Sequence, residues 1–297
     1  MKNYSFSIFL LLFSTAVIAC PFCGCGNSNF QVGVLPTFSK AFVGVRYSYA
    51  QYNSLSADGT QFSNDYFHSV ELWGGYQFKR IQLMAFVPYL SLHKTSDDGV
   101  ADSKGIGDVL LLANYKVTSE KKLGTAKQSL WLGGGIKLKT GKYQVDTSDP
   151  AFTAGDFNSQ VGTGSTDFLV SAIHNLLWNS QGVVTNVAYR INTANDQQFR
   201  FGNRVYVNAA YFHSWPIAMT TIRPMLGLNF SANENNHFEG QVVEGSKGYV
   251  LSGLAGVNVQ RNNIGVLLNG FLPVAQDLYD NQTHFHSRAS LALTYSF

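Results

Sequence analysis

Several things that most folded enzymes rely on are scarce in this chain. Past residue 19 no apolar run approaches the roughly 18 residues that a membrane helix needs, so a helical membrane protein is excluded. Cysteine occurs only as Cys20, Cys23 and Cys25, which leaves nothing to staple the rest of the chain with disulfides. Charged residues make up 13% of the sequence and the formal net charge is +3, so a nucleic-acid partner has no electrostatic support. What is abundant is glycine (28), phenylalanine (22) and tyrosine (15), at a mean hydropathy of −0.03. Disordered chains do not look like this, and the balance fits a sequence that is apolar on alternate residues. A length of 297 residues admits two soluble domains or one large all-β unit.

The last stretch, His284 to Phe297, fits the edge strand of a soluble sandwich as well as a strand of a membrane barrel, and the chain upstream of it decides between them. Every second residue gives Phe285, Ala289, Leu291, Leu293, Tyr295 and Phe297 on one face, and His286, Arg288, Ser290, Thr294 and Ser296 on the other. That is a strand with one greasy and one wet side. Ending on Phe297 in the apolar register resembles the terminal strand of bacterial outer-membrane barrels, which the barrel assembly machinery reads. Tyr295 and Phe297 are then the candidate assembly signal.

Upstream, the alternation continues through about twelve segments: Ala41–Ser54, Tyr66–Lys79, Arg80–His93, Gly107–Thr118, Gln128–Thr140, Thr166–Trp178, Gly182–Thr193, Gly202–Trp215, Ile217–Ser231, Gly248–Gln260, Ile264–Pro273 and the terminal one. Each reaches the roughly 9 to 11 residues of a tilted membrane strand. Their connections alternate in length. Tight turns at Lys79-Arg80, Ser119–Lys127, Asn179–Gln181, Trp215-Pro216 and Arg261–Asn263 alternate with longer polar loops at Leu55–Asp65, Lys94–Ile106, Gly141–Ser165, Ala194–Phe201, Ala232–Lys247 and Val274–Thr283. Short turns inside and long loops outside define a transmembrane antiparallel up-and-down β-barrel, expected here over residues 41–297. Ahead of it, residues 1–19 read as a cleaved secretory leader and residues 20–40 as a periplasmic lead-in. The expected location is the bacterial outer membrane.

Lysine or arginine facing lipid at mid-membrane costs roughly 2–4 kcal/mol, so the apolar face of each strand must point outward. This turns Arg46, Lys137, Lys139, Arg190, Arg204, Arg223 and Arg288 into the lumen, with Glu71 and Asp108 as inward acids. The expected lumen is wet and net basic. Trp73, Trp131 and Tyr206 also face inward and would narrow it. Tyr76, Phe78, Tyr89, Tyr115, Trp178, Trp215 and Tyr295 fit aromatic girdles at the membrane edges.

Three glycine-rich or proline-containing stretches carry a family likeness. Gly105-Ile106-Gly107-Asp108-Val109, Val161-Gly162-Thr163-Gly164-Ser165-Thr166-Asp167 and Pro273-Val274-Ala275-Gln276 resemble strand starts and a strand exit in the phenol-degradation (MetA-pathway) family of outer-membrane transport proteins. The resemblance runs from about Val43 to Phe297 and implies a channel for hydrophobic compounds, without catalytic residues to carry over. Gly162–Thr166 lacks the lysine of a phosphate loop and precedes a strand, so a structural role is expected there.

Cys20-Pro21-Phe22-Cys23-Gly24-Cys25 admits three readings: acylation of Cys20 after a lipoprotein-like Val17–Ala19, a copper or zinc set of three thiolates, or one disulfide with a spare thiol. His284 and His286 share a face, with His68, His93 and His237 near the same rim, and are expected to be solvated. The leading functional expectation is a channel for small organic solutes, hydrophobic or anionic, with outer-membrane lipid, the assembly machinery and the solute as partners, and oligomeric state open. The rivals are a barrel-embedded lipid hydrolase, for which Ser91 and His93 share a face, and a closed structural barrel. A non-enzyme is expected.

Overall fold

A computed structural model of the chain describes residues 41–55, 62–96, 99–123, 126–143, 145 and 160–297. The leader, the lead-in and the cysteine cluster lie outside the described residues. The strands, in chain order, are β1 (Ala41–Leu55), β2 (Phe62–Phe78), β3 (Ile81–Ser96), β4 (Gly99–Ile106), β5 (Leu110–Leu123), β6 (Ala126–Lys137), β7 (Asp167–Trp178), β8 (Gln181–Ile191), β9 (Phe199–Arg200), β10 (Arg204–His213), β11 (Trp215–Ile217), β12 (Thr220–Asn233), β13 (Asn236–Phe238), β14 (Gln241–Val243), β15 (Gly248–Arg261), β16 (Ile264–Leu278) and β17 (Thr283–Ser296).

Twelve of them close into one antiparallel ring, β1-β2-β3-β5-β6-β7-β8-β10-β12-β15-β16-β17, with β17 returning to β1. The terminal strand therefore closes the barrel. Tyr295 pairs with Val43 on one side and with Ile264 on the other, and the Phe297 amide donates to the Ala41 carbonyl at 2.9 Å. Closure removes both sheet edges, so outside one gap between β16 and β17 the backbone groups on the lipid side are paired without water.

Alternation sets the two faces. Along β17, Ala289, Leu291, Leu293 and Tyr295 are exposed, while Ser290, Ala292 and Thr294 are buried. Along β8, Val187 and Ile191 are exposed, while Asn186, Ala188 and Arg190 are buried. Exposed Val, Leu, Ile, Phe and Tyr side chains recur on the outer face around the ring, which is the surface of a membrane-spanning barrel.

The ring matches the twelve expected segments, and the long-loop end holds more structure than expected. β4 extends the sheet beside β3, and β9, β13 and β14 form a separate three-stranded sheet from the 194–201 and 232–247 connections. Propensity and periodicity are weak over strands of two or three residues, which is why these read as loops. The Ser119–Lys127 turn is also tighter than expected, because β5 and β6 pair as far as Leu123 and Ala126.

Among the described residues, apolar side chains cluster inside the ring. One cluster joins Phe42, Trp73, Met84, Phe86, Leu112, Leu169 and Ala188, drawn from strands on opposite walls, with Tyr206 packed against it. A second joins Phe199, Phe201, Leu254, Phe271, Leu278 and Phe285 at the long-loop end.

Candidate functional site

The inward-facing basic residues fall into separate groups. Arg46 pairs with Glu71 across β1 and β2, both buried, and its guanidinium lies 5.8 Å from the centre of the Trp73 ring. Arg190 and Arg204 stand directly opposite each other in the β8–β10 ladder and flank Tyr206 at 5.9 and 6.0 Å. Arg288 sits 4.4 Å from the Phe271 ring and donates to Asn229 at 3.4 Å. Arg223 is lower in the barrel, near the short turns, and donates to Ser214 at 3.2 Å and Asn258 at 3.1 Å. Trp131 packs against Ile173, Val184, Phe212 and Met225.

Lys137 is the centre of a buried polar knot at the long-loop end. Its ammonium contacts Asp108 at 2.7 Å and Asp167 at 2.9 Å, and it donates to the Thr163 hydroxyl. Asp108 also accepts the Thr163 amide at 3.0 Å and the Gly141 amide at 2.9 Å. The two glycine-rich stretches thus meet on one lysine. The second stretch also crosses the chain just past β6: a Cβ on Gly162 would stand 2.6 Å from the Gly141 carbonyl oxygen, so only glycine allows the crossing. Lys139 departs from expectation. It lies beyond the end of β6 with its side chain 53% exposed and pairs with Asp196 at 3.2 Å, outside the lumen, because the strand has ended and its alternation no longer applies.

From this knot the chain folds inward over the mouth. Val161 packs with Ala50, Phe67, Leu90 and Leu92 of the neighbouring strands β1, β2 and β3, while Tyr143 and Val145 pack against the Phe199 cluster. Asn195 ties the pieces together. Its amide donates to the Tyr143 hydroxyl at 2.6 Å and the Thr163 carbonyl at 3.2 Å, and its oxygen accepts the Gln197 and Phe199 amides at 3.0 Å. Burial pushes the Tyr143 hydroxyl well above its ordinary value of 10, opposed by the Asn195 hydrogen bond.

The wall is interrupted at one seam. β16 and β17 pair from Ile264/Tyr295 to Phe271/Arg288 and again at Leu278/Thr283, but not between. Over that interval β16 stays with β15 and β17 stays with β1. Pro273 lacks the N–H a ladder needs, which breaks the pairing. The gap is bridged by a side chain: the Gln276 carboxamide accepts the Phe285 amide at 2.7 Å and donates to the Phe285 carbonyl at 3.1 Å. Beside the seam is a groove of about 550 Å³ lined by Leu226, Gly253, Gly270, Leu272, Ser287 and Ala289 among others. Leu226 and Leu272 are strongly exposed on the lipid face, so the groove opens outward. The sequence marked Pro273–Gln276 as a strand exit; the bridging role of Gln276 has no signal in periodicity.

Other marked residues are not brought into a site. His93 contacts Asp102 at 2.6 Å and Thr95 at 3.3 Å on the outer face, and neither contact is to Ser91. His68 contacts the Tyr47 hydroxyl, and His284 and His286 are exposed. Among the described residues no three His, Cys, Asp or Glu side chains are grouped to hold a metal.

A closed antiparallel ring with a lipid-facing apolar belt, short turns at one end and a folded cap at the other is the transmembrane β-barrel class. Among solved structures it is similar to the COG4313 outer membrane channel from Pseudomonas putida F1, with a TM-score of 0.65 and 14% identity over 89% of this chain and 97% of that one. It is also similar to the β domain of the Bordetella autotransporter BrkA, with a TM-score of 0.52 and 11% identity over 87% of this chain and 100% of that one. No protein-family model and no curated protein matches the sequence. The likeness is one of fold.

Proposed function

We propose that the protein sits in the bacterial outer membrane and passes small organic solutes from the outer mouth through the β16–β17 seam toward the lipid. The observation that carries this is the seam itself. In it a two-bond carboxamide bridge replaces a stretch of backbone ladder, beside an apolar groove and next to the buried Phe271, Leu278 and Phe285. An axial route would run past the packed Phe42, Trp73, Phe86 and Leu169 side chains, whereas the seam needs only the Gln276 bridge and nearby rings to move. The COG4313 channel, similar in fold, adds support for a channel role. The apolar lining favours solutes with an apolar body, because a dry groove stabilises hydrocarbon and penalises unpaired polar groups.

Filling the groove tests the route. A Cβ on Gly270 would meet only the Ala255 carbonyl oxygen, at 3.9 Å, so Gly270→Phe projects a ring into the groove without a backbone clash. Uptake of radiolabelled naphthalene by cells carrying the variant is expected to fall at least fivefold. Leu132→Phe, on the lipid face of β6, is expected to leave it unchanged. Equal uptake by the Gly270 variant and the parent refutes the lateral route.

A further inference from the structure

The two sides of the seam are cut to different lengths. Between the β16–β17 pairs Phe271/Arg288 and Leu278/Thr283, β16 climbs beside β15 from Leu254 to Gly248, six rungs. Over the same interval β17 climbs beside β1 from Ala50 to Ser54, four rungs. Each strand also carries one extra residue there, Val274 where β16 shifts against β15 and His286 where β17 shifts against β1. Two surplus rungs at about 3.3 Å each leave β16 about 7 Å of slack. No in-register ladder closes over such an interval, so strand length as well as Pro273 sets the gap, and the longer strand bows.

The two sides are also held unequally. Phe285 of β17 packs on Tyr52 of β1 with ring centres 5.2 Å apart, and Tyr52 packs on Phe67 of β2 at 5.3 Å. Thr283, Ser54 and Asp65 are buried and joined through the Ser54 hydroxyl, which lies 3.2 Å from the Thr283 hydroxyl and donates to the Asp65 carboxylate at 3.1 Å. The Leu55 amide donates to the Gln282 carbonyl at 2.7 Å. By contrast, Leu272 and Val274 of β16 are each 65% exposed and Ala275 is exposed, so little side-chain packing holds this segment.

We infer that residues 272–277 of β16 are the moving leaf of a lateral gate and that β17 is its fixed post, with the Gln276 carboxamide as the clasp between them. Release of the two bonds to Phe285 lets the slack of β16 swing while β17 stays with β1. The swing is toward the lipid, because Phe271, Leu278 and Phe285 fill the inner side. The motion follows from the registers, and its use for solute passage rests on the lateral-passage reading.

The test is a pair of nitroxide distances, measured by pulsed electron resonance on the refolded full chain in lipid nanodiscs, with Cys20, Cys23 and Cys25 replaced by serine. Labels are carried on Leu132→Cys, on the opposite wall, and either on Val274→Cys in the leaf or on His284→Cys in the post. The Val274 pair is expected to give two distance populations and the His284 pair one. Gln276→Leu, checked for folded mobility on a gel before heating, is expected to raise the longer population of the Val274 pair at least threefold and leave the His284 pair unchanged. A single distance from Val274 overturns the inference, as does an equal split from His284, which would make the whole wall mobile. A split that Gln276→Leu leaves unchanged overturns the clasp. Two populations at Val274 with unchanged uptake in Gly270→Phe would fault the route and leave the leaf standing, and one population with uptake lost would do the reverse.

Discussion

Replacing Lys137 by methionine is expected to cost the folded barrel about 3–5 kcal/mol, the usual penalty for removing one member of a buried ion pair. The loss is large because two carboxylates depend on the one ammonium: Asp108 and Asp167 remain buried and face each other without a cation between them. The Thr163 hydroxyl loses a donor at the same time. Urea unfolding of the refolded protein, followed by gel mobility before heating, measures the change. One companion result identifies the cause: adding Asp108→Asn to Lys137→Met should recover part of the loss. A Lys137→Met barrel as stable as the parent would mean that the knot contributes shape and no net energy.

Asn195→Ala is expected to loosen the mouth more than the wall. The side chain makes four hydrogen bonds, two as donor and two as acceptor, to three separate segments of the cap. At roughly 0.5–1.5 kcal/mol each, their joint loss is about 2–6 kcal/mol, concentrated in the loops because the strand ladders are untouched. Hydrogen exchange at residues 195–201 and 141–143 should accelerate by at least tenfold, with exchange in β1 and β2 unchanged. Tyr143 adds a pH dependence of defined sign. Its folded value is raised above 10, so the neutral form is the one the cap favours. Its contribution is fully present below pH 10 and is lost as the pH rises above that value. Tyr143→Phe should remove this alkaline weakening.

The barrel was legible in the sequence because a closed antiparallel ring repeats one rule, apolar out and polar in, along every strand. Val183–Ile191 and Leu226–Phe230 carry that rule in their own residues, and the alternation of turn and loop lengths fixes their connectivity. The inward direction of Arg46, Arg190 and Arg288 followed from the cost of a lipid-facing charge. Lys139 went astray for the same reason, since the rule was extended past the end of its strand. The parts that were not legible depend on contacts between residues far apart in the chain. Asn195 is a single polar residue in a loop, and only the fold brings Tyr143 and Thr163 to it. The joining of Asp108, Lys137 and Asp167 was equally hidden, although each residue stood in a stretch that drew notice. The seam was hidden in a different way: Pro273–Gln276 read as a strand exit into a loop, whereas β16 runs on to Leu278 beside β15 and only its pairing with β17 is missing.

The most direct measurement of the lateral route is solute accumulation in cells with the seam reversibly closed. Cysteines at Leu272 and Ser287, both lining the groove, would be bridged by a cleavable bifunctional thiol reagent in a chain whose Cys20, Cys23 and Cys25 are replaced by serine. Bridging is expected to reduce naphthalene accumulation at least tenfold, and reduction of the bridge is expected to restore it. Accumulation that is the same with the bridge closed and open would contradict passage through the seam and return the search to the barrel axis.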